Sequence, residues 1–393
     1  EGEFRKELIE QKNILEAVIG LPSGLFYGTG IPASLLIINK AKKDDKILFI
    51  NADAEYKEGK NQNLLRAEDI EKINFVYQNR LELENYSKLV SLEDIKKENF
   101  NLNIRRYVDN TPPPTLHDVK AHLVGGVPKQ EWSSELMSSY GVTHEMLFES
   151  KDEEYYNFLP SIKEKQNIRE LLESSEAFRS TDERVNAKVS SWYDNYQNLV
   201  DDESSNIATL YTSGYELIER AFEASVVLDR FKVRGIFASW WVKNKFTIKS
   251  IKNSGYDFLL LSDGFISTNQ EFIDSLGDTK KPLHAKLQEL TKKLKNAKDE
   301  NDKVIIREQI LELKKQLFTR SEVLTSSKEQ IITQLKLDAM NEANRYLSEK
   351  KQSIIKTLEN LWDKYKVSLS EIEKERDEAT SEIKEFLNEL GYL

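Results

Sequence analysis

The chain contains a long tract, between Pro282 and Gly391, that has neither glycine nor proline. Because these two residues are the strongest breakers of regular structure, such a tract favours helices. Apolar residues recur in it in steps of three and four, the spacing of a helix that buries one face. A single helix of this length would be unusual in a globular protein, so we predict two long helices that fold back near residues 318–329. The periodic residues are Leu283, Leu287, Leu290, Leu294 and Ala297, and later Met340, Ala343, Leu347, Ile354, Leu358, Leu361 and Tyr365.

Residues 282–393 are therefore predicted to form a long antiparallel helical arm. Two interpretations of this arm are open. An exposed helical arm packs against the helices of a partner, whereas an intramolecular hairpin contacts nothing beyond its own chain.

Three short apolar segments near the N-terminus are typical of β-strands. They are rich in β-branched or large side chains, as strands buried on both faces of a sheet are. The segments are LEAVIGL (15–21), ASLLIINK (33–40) and KILFINA (46–52).

Predicted helices surround these strands. Residues 3–12 have the spacing of an amphipathic helix, and residues 66–80 and 91–97 follow the strands as short helices, the second with Ser91 as its N-cap. A helix followed by adjacent strands predicts that residues 1–110 form the α/β edge of an incomplete sheet.

The middle of the chain begins at a proline-rich stretch, DNTPPPTLHD (109–118), where we place a domain boundary. Residues 111–281 are predicted to form an intermediate, mainly helical domain. Within them, GIFASWWV and GYDFLLL are each either a strand or a buried helix, because the pattern alone does not distinguish the two. The four histidines are scattered without the spacing of metal ligands, so no metal site is predicted.

Composition limits the class of protein further. The sequence has no cysteine, which suits a reducing compartment, and its longest apolar runs are far shorter than the ~20 residues of a membrane-spanning helix. We therefore expect a cytoplasmic protein without a membrane partner. The net charge is −10, yet residues 231–256 contain basic residues and no acidic one.

This basic segment has two open interpretations. Lysines interleaved with Trp240, Trp241 and Phe246 are suited to a nucleic-acid backbone and its exposed bases. Alternatively, the segment is a pair of strands with buried aromatics and solvated lysines, in which only one of two adjacent tryptophans need be buried. The candidate contacts to DNA phosphates are Lys232, Arg234, Lys243, Lys245 and Lys249.

Between the first two predicted strands, the link LPSGLFYGTGIP places Phe26 and Tyr27 among glycines. It lacks the third spaced glycine and the helix start of a phosphate-binding loop. A base that is modified must leave the duplex, and its pocket commonly stacks it against an aromatic ring. The alternative is a hydrophobic plug, in which Leu25 and Phe26 fill the core beneath the loop.

The N-terminal part of the chain resembles a known family. EFRKELIEQKNILEAVIGLPSGLFYGTGIPASLLIINK (3–40) and ILFINADAEYKEGKNQNLL (47–65), with IEKI and NLNIRRYVDN, closely resemble the second half of the methylase subunit of type I restriction-modification systems. The resemblance is nearly collinear over residues 1–110 and weaker afterwards. It implies the class I fold of an N6-adenine DNA methyltransferase, which transfers a methyl group from S-adenosylmethionine to a flipped adenine.

The two motifs that perform this chemistry in the family are not in this sequence. There is no glycine-rich cofactor loop and no Asn/Asp-Pro-Pro-Phe/Tyr segment, and TPPPT (111–115) lacks the required flanking residues. The resemblance therefore implies a C-terminal part that is inactive alone, with no catalytic residue of its own and with the S-adenosylmethionine site in preceding sequence. Phe26, or failing it Tyr27, aligns with the aromatic residue that packs on the flipped base.

The resemblance also implies partners. These are double-stranded DNA and the specificity and restriction subunits of a type I system, with the helical arm as the docking element for the specificity subunit. The alternative hypothesis is a non-enzymatic coiled-coil assembly or scaffold protein that carries an α/β module at its start.

Overall fold

The chain forms two compact units. The computed structural model describes residues 2–111, 117–223, 225–256, 281–297, 299–317, 321–390 and 392. The first unit comprises Glu1–Ala187, Phe222–Ala238 and Ala343–Leu393, and the second comprises Lys188–Ala221 and Ser239–Glu342. These units divide the chain differently from the predicted boundaries at residues 110 and 281. TPPPT lies almost wholly outside the described residues.

The first unit contains a four-stranded mixed sheet in the order β2-β1-β3-β4. Strand β1 is parallel to β3, whereas β2 pairs with β1 and β4 with β3 in antiparallel orientation. The three predicted strands are confirmed, and β4 was not predicted. The strands are β1 (Leu15–Gly20), β2 (Ser34–Ile38), β3 (Ile47–Asn51) and β4 (Ser87–Val90).

Helices cover both faces of this sheet. Successive side chains of the central strands point to opposite faces, and both sets are buried. On one face, Val18 and Phe49 pack with Ile9 of a π-helical turn and Ile95 of α3. On the other, side chains of β1 and β3 pack against Val76 of α2. The elements are α1 (Gly2–Lys6), the π-helical turn (Glu7–Gln11), α2 (Ala67–Asn79) and α3 (Leu92–Lys97).

The predicted helices at residues 66–80 and 91–97 are thus confirmed. Ser91 Oγ accepts a hydrogen bond from the backbone N–H of Asp94 at 3.2 Å, as an N-cap residue does.

Strand β2 corrects one prediction. Its apolar residues Leu35, Leu36 and Ile38 are exposed, whereas every residue of β3 is buried. The expectation of strands buried on both faces is therefore wrong for β2. It lies at the edge of the sheet, and among the described residues β1 is its one strand partner.

The remainder of the N-terminal half combines short helices with a second, antiparallel sheet in the order β5-β7-β6. The prediction of a mainly helical domain missed this sheet, since its strands are only two to four residues long. The strands are β5 (Val127–Pro128), β6 (Phe148–Ser150) and β7 (Tyr155–Phe158). The helices are α4 (Val119–Val124), α5 (Ser134–Ser139) and α6 (Lys165–Glu173), with 3₁₀ turns at Ile104–Arg106, Lys129–Glu131 and His144–Met146.

Long helices dominate the rest of the chain. They are α7 (Glu176–Asp201), α8 (Ile207–Phe222), α9 (Arg230–Ser254), α10 (Lys281–Asn296), α11 (Glu300–Leu317), α12 (Ser321–Tyr365) and α13 (Leu369–Glu389). GIFASWWV is therefore helical. GYDFLLL lies outside the described residues from residue 257 onward.

The prediction of two long helices beyond Pro282 is wrong. Helices α10 and α11 contact each other across a short connection, so the chain folds back between Asn296 and Glu300. Asp299 favours a new helix start there, because its Oδ1 accepts the backbone N–H of Asn301 at 2.7 Å. A further break follows α12, where Ser368 caps α13.

The later half of the periodic pattern is confirmed as a buried helix face. Ala343, Leu347, Ile354, Leu358 and Leu361 of α12 are all buried. These residues belong to the first unit, so the prediction of an exposed arm is wrong for this stretch. Of the predicted arm, α13 is the part whose side chains are nearly all exposed.

The second unit has an aromatic core. Trp192, Tyr196 and Trp240 pack together, and Trp240 Nε1 donates a hydrogen bond to the backbone oxygen of Leu335 at 2.7 Å. Both Trp240 and Trp241 are buried on helix α9. The interpretation of this segment as a pair of strands is therefore wrong, since a helix packed on two sides can bury adjacent residues.

Within the first unit, two buried carboxylates of α2 form ion pairs with later helices. Arg234 of α9 pairs with Glu71, and their side chains are 12% and 6% exposed. Arg345 of α12 pairs with Glu68 at 3.0 Å. Burial acts to lower the pKa of Arg345, but Tyr346 and Glu68 outweigh it and raise that pKa. Helix α2 thus packs on helices from distant sequence.

We expect Arg234→Gln to reduce the free energy of unfolding by about 3 kcal/mol, because it removes the guanidinium from a buried carboxylate. Urea denaturation of this chain measures the loss. Lys232→Gln is the matched control on the same helix, since Lys232 makes a partly exposed 3.7 Å pair with Asp229 and should change stability by no more than about 0.5 kcal/mol. Equal effects of the two variants would contradict a structural role for Arg234.

Candidate functional site

The loop between β1 and β2, residues 21–33, is here called the aromatic loop. In the parallel pair of β1 and β3, Gly20 lies opposite Asn51. The aromatic loop and the segment that follows β3 therefore leave the sheet at the same edge. In α/β sheets, the carboxyl ends of parallel strands are where ligands bind.

Phe26 and Tyr27 are presented to solvent at this edge. Phe26 is 57% exposed and Tyr27 is 81% exposed, although both are large aromatic residues. Leu25, by contrast, is half-buried and packs against the core beneath the loop. The alternative of a hydrophobic plug therefore holds for Leu25 and is wrong for Phe26.

The segment after β3, residues 52–66, is here called the bracing loop. Asn63 Nδ2 donates a hydrogen bond to the backbone oxygen of Ser23 at 2.9 Å. The backbone N–H of Asn63 donates to the backbone oxygen of Gly24 at 2.8 Å. Gln62 Nε2 donates to the backbone oxygen of Leu25. Sequence reasoning assigned these residues no role, although the run KNQNLL was part of the family resemblance.

A cavity of about 670 Å³ lies beside the two loops. On its wall, an Arg105 guanidinium nitrogen donates to Asp53 Oδ2 at 2.9 Å, and this hydrogen bond raises the pKa of Arg105. Asn110 also donates to Asp53. Residues that line the cavity include Ser23, Pro32, Tyr56, Glu58 and Thr111. Sequence reasoning assigned Asp53, Arg105 and Asn110 no role of their own, although all three lie in segments that are part of the family resemblance.

The five basic residues predicted to contact DNA have different surroundings in the structure. Arg234 is directed to the buried Glu71, so its guanidinium is engaged within the protein. Lys232 is partly exposed near Asp229. Lys243 pairs with the buried Asp338 at 2.9 Å. Contact with DNA stays a prediction for all five, and the geometry disfavours Arg234 most.

Lys245 and Lys249 have a different environment on α9. Their ammonium groups lie 5.3 and 5.8 Å from the ring centre of Phe246, which is 68% exposed. Neither lysine has an acidic partner among the described residues. Proteins that bind single-stranded nucleic acid combine such cations with exposed aromatic rings, so this surface is compatible with the predicted DNA contact.

Other kinds of site receive no support from the described part of the chain. It contains no group of three His, Asp or Glu side chains that could hold a metal ion. None of its helices has both the length and the apolar character that a membrane crossing requires.

A comparison with protein families finds a similarity for this sheet and its loops. Residues 1–113 match the family described as N-6 DNA Methylase. These are the residues that form the mixed sheet, α2 and α3, and both loops at its edge. This part of the chain is therefore similar to the N-6 DNA methylase family.

Individual relatives define the similarity more closely. The methylase subunit of the type I restriction enzyme MjaVII from Methanocaldococcus jannaschii is 43% identical over 114 residues, which cover 28% of this chain and 20% of the relative. The MpnII methylase subunit from Mycoplasma pneumoniae is 36% identical over 121 residues, or 30% and 22% of the two chains. A crystal structure of a type I restriction-modification methyltransferase subunit from Streptococcus thermophilus is 39% identical, covers 28% of this chain and 23% of that chain, and has a TM-score of 0.27.

The resemblance to type I methylase subunits is thus confirmed for the N-terminal part of the chain. The chain spans about a fifth of the length of the curated relatives that it matches. Residues 114–393 lie outside the match to the family.

Proposed function

We propose that this chain is the C-terminal part of a DNA adenine-N6 methyltransferase subunit of a type I restriction-modification system. The observation that carries the proposal is the exposure of Phe26 at the carboxyl edge of β1 and β3, within the segment that matches the N-6 DNA methylase family. In the full enzyme, Phe26 stacks on the adenine that leaves the duplex. Tyr27 is the second choice for this role.

The edge strand β2 supports the assignment to a larger catalytic domain. Its Leu35, Leu36 and Ile38 are exposed in a strand whose outer hydrogen-bonding edge is available among the described residues. Exposed apolar edges of this kind are normally covered or paired. We infer that the preceding part of a class I methyltransferase sheet covers it and that this chain alone is inactive.

The residues described at this edge do not fit an S-adenosylmethionine site. The aromatic loop connects two strands, and the cavity beside it is lined by Asp53, Glu58 and Arg105 rather than by a glycine-rich turn that opens a helix. We assign the cofactor to preceding sequence of the full subunit. There it would supply the methyl group, while this chain contributes a wall of the adenine pocket.

The proposed partners are double-stranded DNA and the specificity and restriction subunits, in a cytoplasmic complex. Helix α13 is the proposed docking element for the specificity subunit. Its apolar residues follow the spacing of a coiled-coil seam and are exposed. They are Leu369, Ile372, Ile383, Phe386 and Leu390.

We expect Phe26→Ala in the full subunit, assembled with its partners, to lower kcat/KM for DNA methylation roughly ten- to a hundredfold, the range of one lost base-stacking contact. Transfer of labelled methyl groups to DNA measures the change. Ile31→Ala is the control, because Ile31 is an exposed apolar residue of the same loop. A larger loss in Tyr27→Ala than in Phe26→Ala would move the role to Tyr27, and equal activity of all variants would refute it.

For the basic surface of α9, we expect Lys245→Gln with Lys249→Gln to reduce the slope of log affinity against log salt by about two, since each phosphate contact releases roughly one counterion. DNA titrations of the assembled enzyme at several salt concentrations measure the slope. Lys292→Gln with Lys295→Gln removes the same charge from exposed positions on α10 and should leave the slope unchanged. Identical slopes for the two double variants would exclude this surface from DNA binding.

On α13, we expect Ile383→Glu with Phe386→Glu to abolish copurification of the full subunit with the specificity subunit, because the seam would then bury two carboxylates. Both side chains are exposed in this chain, so its fold should be unaffected. Ser381→Glu with Asn388→Glu adds the same charge on the opposite face of the helix and should copurify normally. Undiminished association of the seam variant would rule out α13 as the docking element.

A further inference from the structure

The bracing loop holds three consecutive residues of the aromatic loop by their backbone oxygens. Asn63 holds Ser23 through its side-chain amide and Gly24 through its backbone N–H, at 2.9 and 2.8 Å. Gln62 holds Leu25 through its side-chain amide. The next residue along the chain is Phe26. Two adjacent residues thus hold, by three hydrogen bonds, the three residues that directly precede the exposed aromatic ring.

Asn63 is itself held in one orientation by its own loop. Lys57 and Leu64 exchange backbone hydrogen bonds of 2.8 and 3.0 Å, which close the bracing loop into a tight turn. Inside that turn the backbone N–H of Gly59 donates to Asn63 Oδ1 at 3.4 Å. A Cβ atom at position 59 would overlap the backbone oxygen of Gln62, so the turn requires glycine there. The Asn63 oxygen therefore faces a donor, and its nitrogen faces the Ser23 oxygen.

The aromatic loop needs such external support. Gly24 and Gly28 have φ values of +68° and +77°, in the left-handed region where glycine is the most adaptable residue. Phe26 is more than half exposed, so packing of its ring does not define its position. Without the contacts from Gln62 and Asn63, ordering this segment would cost conformational entropy at the moment a ligand binds.

We propose that Gln62 and Asn63 are positioning residues that hold the aromatic loop in place, so that the Phe26 ring is presented to an extruded base before the base arrives. This inference rests on the proposed function of Phe26. In this role Gln62 and Asn63 act on the base through the backbone of residues 23–25. Their loss lowers capture of the extruded base without weakening contact with the duplex.

Isosteric substitutions isolate the hydrogen bonds. In Asn63→Asp, the carboxylate still accepts from the Gly59 N–H but presents an oxygen to the Ser23 oxygen, so the donated bond is replaced by repulsion. Gln62→Glu does the same opposite Leu25. Asn61→Asp is the matched control, because it adds the same charge to an exposed asparagine of the same loop with no hydrogen bond described for its side chain.

The experiment uses the full subunit assembled with its partners and a duplex that contains 2-aminopurine in place of the target adenine. Time-resolved fluorescence measures the ratio of extruded to stacked base in the bound complex, and a titration of unmodified duplex measures overall DNA affinity. We expect Asn63→Asp and Gln62→Glu each to lower the extruded-to-stacked ratio about three- to tenfold, the range for one lost hydrogen bond. Duplex affinity should change less than twofold, and Asn61→Asp should match the unsubstituted enzyme.

Phe26→Ala in the same assay distinguishes failure of the positioning role from failure of the proposed function of Phe26. If Phe26→Ala lowers the ratio while Asn63→Asp and Gln62→Glu match Asn61→Asp, the positioning role is refuted and the function of Phe26 stands. If Phe26→Ala itself leaves the ratio unchanged, the proposed function fails and the positioning role fails with it. A parallel fall in duplex affinity and extruded base for Asn63→Asp and Gln62→Glu would indicate general damage to the fold and would also refute the proposal.

Discussion

The parallel pairing of β1 with β3 is the constraint on which the candidate site depends. With Gly20 opposite Asn51, both strands end at the same edge, and the aromatic and bracing loops begin within one residue of each other. Backbone contacts continue the pairing beyond the strands, since the N–H of Ala52 donates to the Gly20 oxygen at 3.0 Å. An antiparallel arrangement of these strands would place the two loops at opposite ends of the sheet. Asn63 could not then reach Ser23.

The ion pairs of two buried carboxylates are a second constraint on how the first unit packs. Glu68 and Glu71 lie on α2, and their partners Arg345 and Arg234 come from α12 and α9. Carboxylates buried to this degree require such partners, because an unpaired buried charge is costly. The pairing explains why the part of the chain that matches the methylase family packs on helices outside the match. It also gives Arg234, which looked like a DNA contact in a basic segment, a role within the fold.

Local patterns predicted several elements correctly, because they depend on neighbouring residues. The N-cap at Ser91 and the buried stripe from Ala343 to Tyr365 follow from spacing alone. The capping box of Ser368 and Glu371 has an equally local signature, Ser-x-x-Glu, and could have indicated the start of α13. Strand β4 and the small sheet were missed because strands of two to four residues carry almost no periodicity.

Errors arose where the answer depended on contacts distant in sequence. Whether Lys243, Lys245 or Arg234 is paired within the protein depends on whether an acidic residue from another helix meets it, and the spacing of residues within 231–256 does not show this. The bracing role of Asn63 is hidden for the same reason, since its partner Ser23 lies 40 residues away.

By itself, the sequence determined the approximate positions of β1, β2, β3, α2 and α3, the adjacent aromatics in a glycine-rich loop, and the family resemblance of residues 1–110. These are properties of short segments, set by side-chain periodicity and by the conformational freedom of glycine and proline. Only the tertiary structure decided that Leu25 is buried while Phe26 is exposed, that the second half of α12 is core rather than arm, and that Gln62 and Asn63 hold the aromatic loop. Each of these depends on which distant segments meet, and that is decided by strand pairing and by the burial of apolar and charged groups over the whole unit.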